Sequence, residues 1–534
     1  MLMAGIISRT AVAQDDKTIA LTSTLAEFST ASFQQKPEII DRLSKLGDER
    51  VLNVFQAMLG GELFVNQDSQ TFLAVKSVGD THVAVNVMTG AALGAVDTST
   101  FTKLSINNAL RTKLRGEIAQ LSLSSSNVTT RLNAVRETIK SLSPESTPLL
   151  RAMRERERDG AVREALDTAL ALLDIKSNDK LRRLAAIHEL GGSGYQESRS
   201  ALAQLLEKNA NAEFVEADND VRDGATRAIA RIDSSKQLYG FAETAFFGLS
   251  LGSVLLLAAI GLAITFGVMG VINMAHGELM MLGAYTTYVV QTLMPNHIDL
   301  SLWVAVPAAF VVTGTVGIVI ERSVIRFLYG RPLETLLATF GISLVLQQLV
   351  RTIFSPLNRS VETPSWMQGA WEINSSLSLT FNRLYIIIFS LLIFFALLLV
   401  LKKTRFGLQM RAVSQNREMS QAMGIRTTWI DALTFGLGSG IAGIAGVALS
   451  QLTNVGPNLG QSYIIDSFMV VVFGGVGNLW GMLVGALSLG VLEKVLEPWA
   501  GAVLAKIILL VGIILFIQKR PRGLFPKKGR AAEA

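Results

Sequence analysis

The feature that most constrains this chain is the succession of long apolar runs between Gly240 and Gln518, each broken only by a short polar loop. A helix needs about twenty apolar residues to cross a hydrocarbon core about 30 Å thick at 1.5 Å rise per residue. Segments near 244–269, 277–294, 302–320, 334–353, 384–401, 429–451 and 502–517 meet that requirement, and 464–492 is an apolar region interrupted by glycines. The expectation is an α-helical polytopic membrane protein of about eight spans, one of them broken. Residues before Tyr239 read instead as a charged, Ser/Thr-rich globular segment. The chain therefore divides into a soluble part over 14–239, a membrane part over 240–518 and a basic tail over 519–534.

Much of the basic excess behind the net charge of +6 sits in three places: Arg322, Arg326 and Arg331; Lys402 to Arg426; and Lys519 to Arg530. Basic loops between apolar runs belong on the cytosolic side of a bilayer, and no nucleic-acid partner is implied. Counting spans back from Arg322 makes the first one run from outside to inside. The expectation is a bacterial cytoplasmic-membrane protein whose residues 14–239 are extracytoplasmic. Ala11-Val12-Ala13 has the pattern of a signal-peptidase site, but Leu2 to Ile7 is a short apolar stretch and Arg9 lies on its wrong side. Residues 1–13 are thus expected to be either a signal-peptide remnant or a disordered tail. The chain has no cysteine, which excludes disulfides, thiolate metal sites and a cysteine nucleophile.

Within the soluble part, Gly61 to Val65, Thr71 to Lys76 and His82 to Val87 alternate in polarity between Gly and Asp breaks, which predicts a small β-insert. From Asn127 the periodicity becomes helical and repeats. Arg131-Leu-Asn-Ala-Val-Arg-Glu137 lines up with Arg183-Leu-Ala-Ala-Ile-His-Glu189, and the Val-Arg-acid core in Asp159 to Leu166 returns in Asp220 to Arg227. Such pairs resemble HEAT-like repeats over about 127–233, a mostly α-helical domain serving as a docking surface or a spacer. His188 lies in a repeat helix with no ligand partner at suitable spacing, so a structural or surface role is expected.

Polar residues inside apolar spans need a partner or water. Asn273, His276 and Glu278 interrupt the first two spans, Gln347 sits in the fourth, and Asp466 and Ser467 open the broken region. Phe473-Gly-Gly-Val-Gly-Asn-Leu-Trp-Gly481 would weaken any helix, and irregular backbone at membrane depth is tolerated where protein or a wet path satisfies it. Asn273, His276, Glu278, Gln347, Asp466, Ser467, Gly474, Gly475, Gly477 and Asn478 are therefore the candidate pathway residues. His276 and Glu278 read equally well as a polar turn at the cytosolic face, and Gln348 is a weaker candidate. The glycines at 436, 440, 443 and 446 and at 477, 481 and 485 suit close helix packing.

The second basic loop contains Glu418-Met-Ser-Gln-Ala-Met-Gly424, which resembles the EAA loop of ABC-importer permeases, with Met419 and Ser420 in place of two alanines and no downstream Ile-x-Leu-Pro. Arg411, Glu418, Ala422 and Gly424 carry that likeness. A short helix ended by glycine makes a rigid knob that can dock on an ATPase. Ile272-Asn-Met-Ala-His-Gly-Glu-Leu-Met-Met-Leu-Gly-Ala-Tyr285 resembles the signature of LivH-type branched-chain amino acid permeases. Leu333 to Leu344, Asp466 to Gly481 and Phe516 to Phe525, with the long N-terminal extension, resemble the branch that imports urea.

That resemblance implies a permease half with a second homologous permease subunit, two cytosolic ATPases and an external urea-binding protein as partners. The residues themselves carry no Gly-x-x-x-x-Gly-Lys-Ser/Thr loop, so ATP chemistry must come from another subunit, and no cofactor is expected. Two other classes compete. A secondary transporter would need paired ion-site carboxylates at mid-membrane, where Asp466 reads as nearly alone, and an intramembrane enzyme would need a nucleophile and base or a metal cluster. Only His276 and His297 lie in the membrane half, too few for a zinc site built from His and Cys.

Overall fold

The alternation and periodicity of the soluble part yield two hydrophobic cores in a computed structural model that describes residues 19–525, apart from 47, 49, 67–70, 79–80, 88, 96–100, 141, 210–212 and 375–376. The signal-peptide reading of 1–13 and the tail from 526 onward lie outside the described residues. The chain separates into two units between Asp233 and Ser234.

In the first unit, α1 (19–30), α2 (Lys36–Lys45), α3 (Arg50–Gly60) and α4 (Asn108–Leu123) accompany a five-stranded antiparallel sheet. Its strands are β1 (Leu63–Asn66), β2 (Thr71–Val78), β3 (Thr81–Asn86), β4 (Ala92–Ala95) and β5 (Thr102–Lys103), in the order β4-β3-β2-β1-β5. The period-2 pattern puts Leu63, Val65 and Phe72 in a core with Phe28, Ile40 and Phe55, while Leu73, Val75 and Ala84 form a smaller cluster. The sheet is larger than the three strands read from sequence, because Ala92 to Ala95 and Thr102-Lys103 carry almost no pattern of their own.

The second core of this unit is helical, built from α5 (Val128–Lys140), α6 (Thr147–Arg156), α7 (Gly160–Asp174), α8 (Lys180–Leu190), α9 (Gln196–Gln204) and the first turns of α10 (Asn219–Met269). One ion pair recurs. Arg131 grips Glu157 through Nε and Nη2 at 2.8 and 2.9 Å, and Arg183 reaches Glu216 at 2.5 Å. In both cases an Asp two residues after the Glu accepts backbone N–H groups at the next helix start, Asp159 for α7 and Asp218 for α10. The structural partner of Asp159 is thus Asp218, two residues before the Asp220 that begins the matching sequence segment. His188 is exposed on α8.

The Arg131 guanidinium, with backbone N–H groups of Arg158 and Asp159, holds the Glu157 carboxyl down at about 2. A carboxyl depressed from about 4.3 stabilises the fold fully above that value and loses the contribution as pH falls towards 2. Glu157→Gln is expected to cost about 1–2 kcal/mol at neutral pH and to remove that acid-dependent component. Protection factors of α5 and α7 amides in the full-length protein, corrected for intrinsic exchange, check this between pH 5 and 2.5.

The second unit contains α11 (His276–Leu293), α12 (Ile298–Ser323), α13 (Pro332–Phe354), α14 (Phe381–Lys403), α15 (Arg405–Gln415), α16 (Arg417–Ala422), α17 (Thr427–Ser450), α18 (Leu459–Gly474) and α19 (Leu479–Lys519). Among the described residues six helices are long and apolar enough to cross a membrane: α10, α12 with its short continuation to Phe327, α13, α14, α17 and α19. This is fewer than the about eight spans read from sequence, for physical reasons. His276, Glu278 and Gln291 dilute the apolar character of α11, α18 has only 16 residues, and α19 counts once although it bends at Gly501, where φ is 77°.

Helices α10 and α17 are the most buried of the qualifying spans. Glycines let the backbones of the central helices touch. A Cβ on Gly446 would enter the Met280 carbonyl of α11, and one on Gly277 would fall 2.5 Å from the Gly460 oxygen of α18. The packing reading of the α17 glycines therefore holds. Trp303, Trp366 and Tyr385 stack at one end of the bundle, with ring centroids 6.0 and 5.2 Å apart, where Asp299 accepts the Ser365 N–H. The hairpin β6 (Ala370–Asn374) and β7 (Leu377–Thr380) follows in the chain. Elsewhere the Arg322 guanidinium lies 4.4 Å from the Trp429 ring.

Candidate translocation site and coupling loop

Helix α11 starts where the chain turns back after Gly270, and its first turn is buried: His276 is 0 % and Glu278 1 % exposed. Neither forms a solvent-facing turn. His276 Nε2 donates to the Ala258 carbonyl at 2.9 Å, the tautomer a carbonyl partner requires. Helix α13 faces this region with Thr335, Thr339, Ser343 and Gln347, a polar row at four-residue spacing on its buried side, while Leu333, Leu337, Val345 and Leu349 are exposed. Thr339 accepts the Met274 N–H at 3.1 Å. Ser343 and Gln347 donate to Glu278 Oε1 at 3.1 and 2.7 Å. Asn273 accepts the Ala275 N–H through Oδ1. The structure thus brings Glu278 and Gln347 into contact, Asn273 bonds within its own turn five residues before Glu278, and Gln348 is exposed.

Asp466 and Ser467 belong to a different cluster. Asp466 is 2 % exposed and pairs with Lys506 of α19 at 2.6 Å, and Glu493 stands 3.8 Å from the same ammonium. The reading of Asp466 as nearly alone among carboxylates is therefore corrected by Glu493, which shares the Lys506 ammonium with it; that cation is 40 residues away in sequence and comes close because α19 folds back at Gly501. Ser467 donates to the Tyr463 carbonyl, within its own helix.

The glycine-rich break is a tight turn between α18 and α19. Gly475 and Gly477 have φ of 99° and 80°, conformations that exclude most side chains. Gly474 packs against Gly481, and Gly475 against the carbonyls of Arg522 and Phe525. Asn478 caps α19 by accepting the N–H groups of Trp480 and Gly481. The geometry thus engages Gly475 and Asn478 in holding this turn to residues 522–525, while Gly474 closes on Gly481 and Gly477 supplies a left-handed turn conformation.

The basic loop forms two short helices. Asn416 caps α16 by accepting the Met419 N–H, and Gly424, with φ of 84°, ends it. Arg411, Glu418, Ala422 and Gly424 are all exposed, as are Met419 and Met423. The knob is anchored by Arg417, which forks onto the buried Asp431 of α17 and stacks 3.9 Å from the Tyr329 ring. These anchors were not read from sequence, although a lone Asp in an apolar span is a signal that a partner exists. The same signal marks Glu493 and Lys506. Ser343 and Thr339 gave none, since hydroxyls are common in spans.

These features define a multi-pass membrane protein with an ordered, exposed loop between two of its spans. The profile described as branched-chain amino acid transport system, permease component, matches residues 244–517. The chain is 32 % identical over 301 residues to the high-affinity branched-chain amino acid transport system permease protein LivH of Escherichia coli, covering 54 % of this chain and 97 % of that one. It is 30 % identical over 298 residues to BraD of Pseudomonas aeruginosa, with 54 % and 96 % covered, and 27 % over 252 residues to the ribose import permease protein RbsC of Escherichia coli, with 45 % and 74 % covered. No solved structure matches. The chain belongs to the branched-chain amino acid transport system permease family. It is a permease component and not an enzyme.

Proposed function

We propose that this chain is the permease subunit of an ATP-driven ABC importer for urea in the bacterial cytoplasmic membrane. The observation that carries the importer reading is the knob Asn416–Gly424, capped at both ends, anchored by Arg417 on Asp431 and presenting Glu418, Met419 and Met423 to solvent. Such a knob suits the groove of a cytosolic ATPase and passes its motion to α17. A second homologous permease and an external binding protein complete the assembly. Residues 14–239, with HEAT-like pairs over about 127–233, lie on the extracytoplasmic side.

Urea is supported by the likeness of 333–344, 466–481 and 516–525 to the urea branch. The N-terminal part supports it too, since with 97 % of LivH already matched that relative has no room for a domain of this size. Asn273, Glu278 and Gln347 supply hydrogen-bonding groups to the path. A second reading, import of branched-chain amino acids, is favoured by the relatives' names. Uptake of labelled urea and leucine in cells lacking this chain, with and without its return, separates them. Loss of urea uptake alone is the expected result, and loss of leucine uptake alone transfers the assignment to amino acids.

A further inference from the structure

Three buried polar atoms at the start of α11 have no protein partner: Asn273 Nδ2, His276 Nδ1 and Glu278 Oε2. Glu278 Oε1 accepts from both Ser343 and Gln347, and Oε2 accepts from none. Asn273 Oδ1 takes the Ala275 N–H, which fixes the amide orientation and leaves Nδ2 without an acceptor. The residues are 1 % and 0 % exposed. A buried polar atom left unpaired is costly, and native folds rarely carry one without a use for it. Glu278 Oε2 and Asn273 Nδ2 are of opposite polarity, an acceptor and a donor five residues apart at a helix start, and His276 Nδ1, with the ring proton on Nε2, is a second acceptor between them in sequence.

We propose that Glu278 Oε2 and Asn273 Nδ2 form a binding site for a neutral solute that carries both an amide N–H2 and a carbonyl, the chemistry shared by urea and small primary amides. The inference rests on the permease reading and names the solute class of that path. The solute N–H donates to Glu278 Oε2 and its carbonyl accepts from Asn273 Nδ2, which satisfies both orphans at once. Ser343 and Gln347 are positioning residues: by occupying Oε1 they turn the other carboxyl oxygen towards the solute. A zwitterionic amino acid fits poorly, since its ammonium has Glu278 as a counter-charge while its carboxylate would be buried against the neutral Asn273 amide with no cation. The site lies beside Gly277, whose backbone touches Gly460 of α18, so the first turns of two helices meet at this point.

Glu278→Gln keeps the shape and keeps an acceptor for Ser343 and Gln347, but it converts the free oxygen into a donor. In ATP-dependent uptake by the complete transporter, the KM for urea and for acetamide is expected to rise about tenfold at equal membrane abundance, the loss of one well-made hydrogen bond to a charged group. Glu278→Asp, which retains the acceptor, recovers part of that loss. If Glu278→Gln does not accumulate, Ser343→Ala carries the test and raises KM several-fold. Infrared difference spectra of the purified full-length chain provide a readout that needs no ATPase: adding urea shifts a carboxyl band that is absent in Glu278→Gln, and adding leucine does not. An unchanged KM in a variant that accumulates normally, or no urea-dependent carboxyl band, overturns the site. Failure of the wild-type chain to restore any uptake overturns the importer reading instead, and the infrared band then still decides the site.

Discussion

Lys506→Ala is expected to destabilise the membrane part by about 3–5 kcal/mol, because it leaves Asp466, 2 % exposed, as a buried carboxylate without its cation. Glu493 at 3.8 Å aggravates the loss, since two carboxylates then face each other across the place the ammonium held. Removing both members of the closer pair, Asp466→Asn with Lys506→Ala, is expected to recover most of the stability, as neutral replacement of buried pairs is often tolerated. Thermal unfolding of the detergent-solubilised protein and its abundance in membranes measure both effects. A single variant as stable as the parent would show that the pair holds nothing together. The pair matters for architecture because α18 is only 16 residues long and ends at a glycine turn, so it depends on its neighbours for its place.

The second large effect concerns coupling. Arg417→Ala is expected to lower ATP-driven uptake at least tenfold while the assembled ATPases continue to hydrolyse ATP. The reason is mechanical: the fork of Arg417 on Asp431, backed by the Tyr329 ring, joins the knob to α17. Arg417→Lys keeps the charge but loses the two-pronged geometry, and an intermediate loss is expected. Asp431→Asn combined with Arg417→Ala should lose little more than either alone, since both act on one contact. Uptake and hydrolysis measured on the same proteoliposomes give the ratio directly. Equal falls in both would mean that the contact serves assembly rather than transmission.

Several elements were legible in the sequence for plain physical reasons. Apolar runs of span length mark the membrane helices, and Gly424 marks the end of α16. The alternation of 61–65 and 71–76 marks β1 and β2, and the repeated Arg131 and Arg183 stretches mark matching helices. What sequence could not supply is pairing across distance. Asp466 looked solitary because Lys506 reaches it only through the reversal at Gly501, and Glu278 is joined to Gln347 across 69 residues. The glycine run 474–481 read as a break at membrane depth, and the structure folds it against Phe525 and the chain end. Local backbone weakness is visible in a sequence, whereas the surface that receives it is not.

An importer driven by a separate ATPase must turn its α15–α16 loop to the cytosol and seat it on that ATPase. The chain contains no cysteine, so Met423→Cys, at a residue 77 % exposed, offers a single thiol for a membrane-impermeant maleimide. Labelling is expected in inside-out vesicles, none in intact spheroplasts, and protection when the partner ATPases are present. Labelling from the outer face, or equal labelling with and without the ATPases, would contradict it.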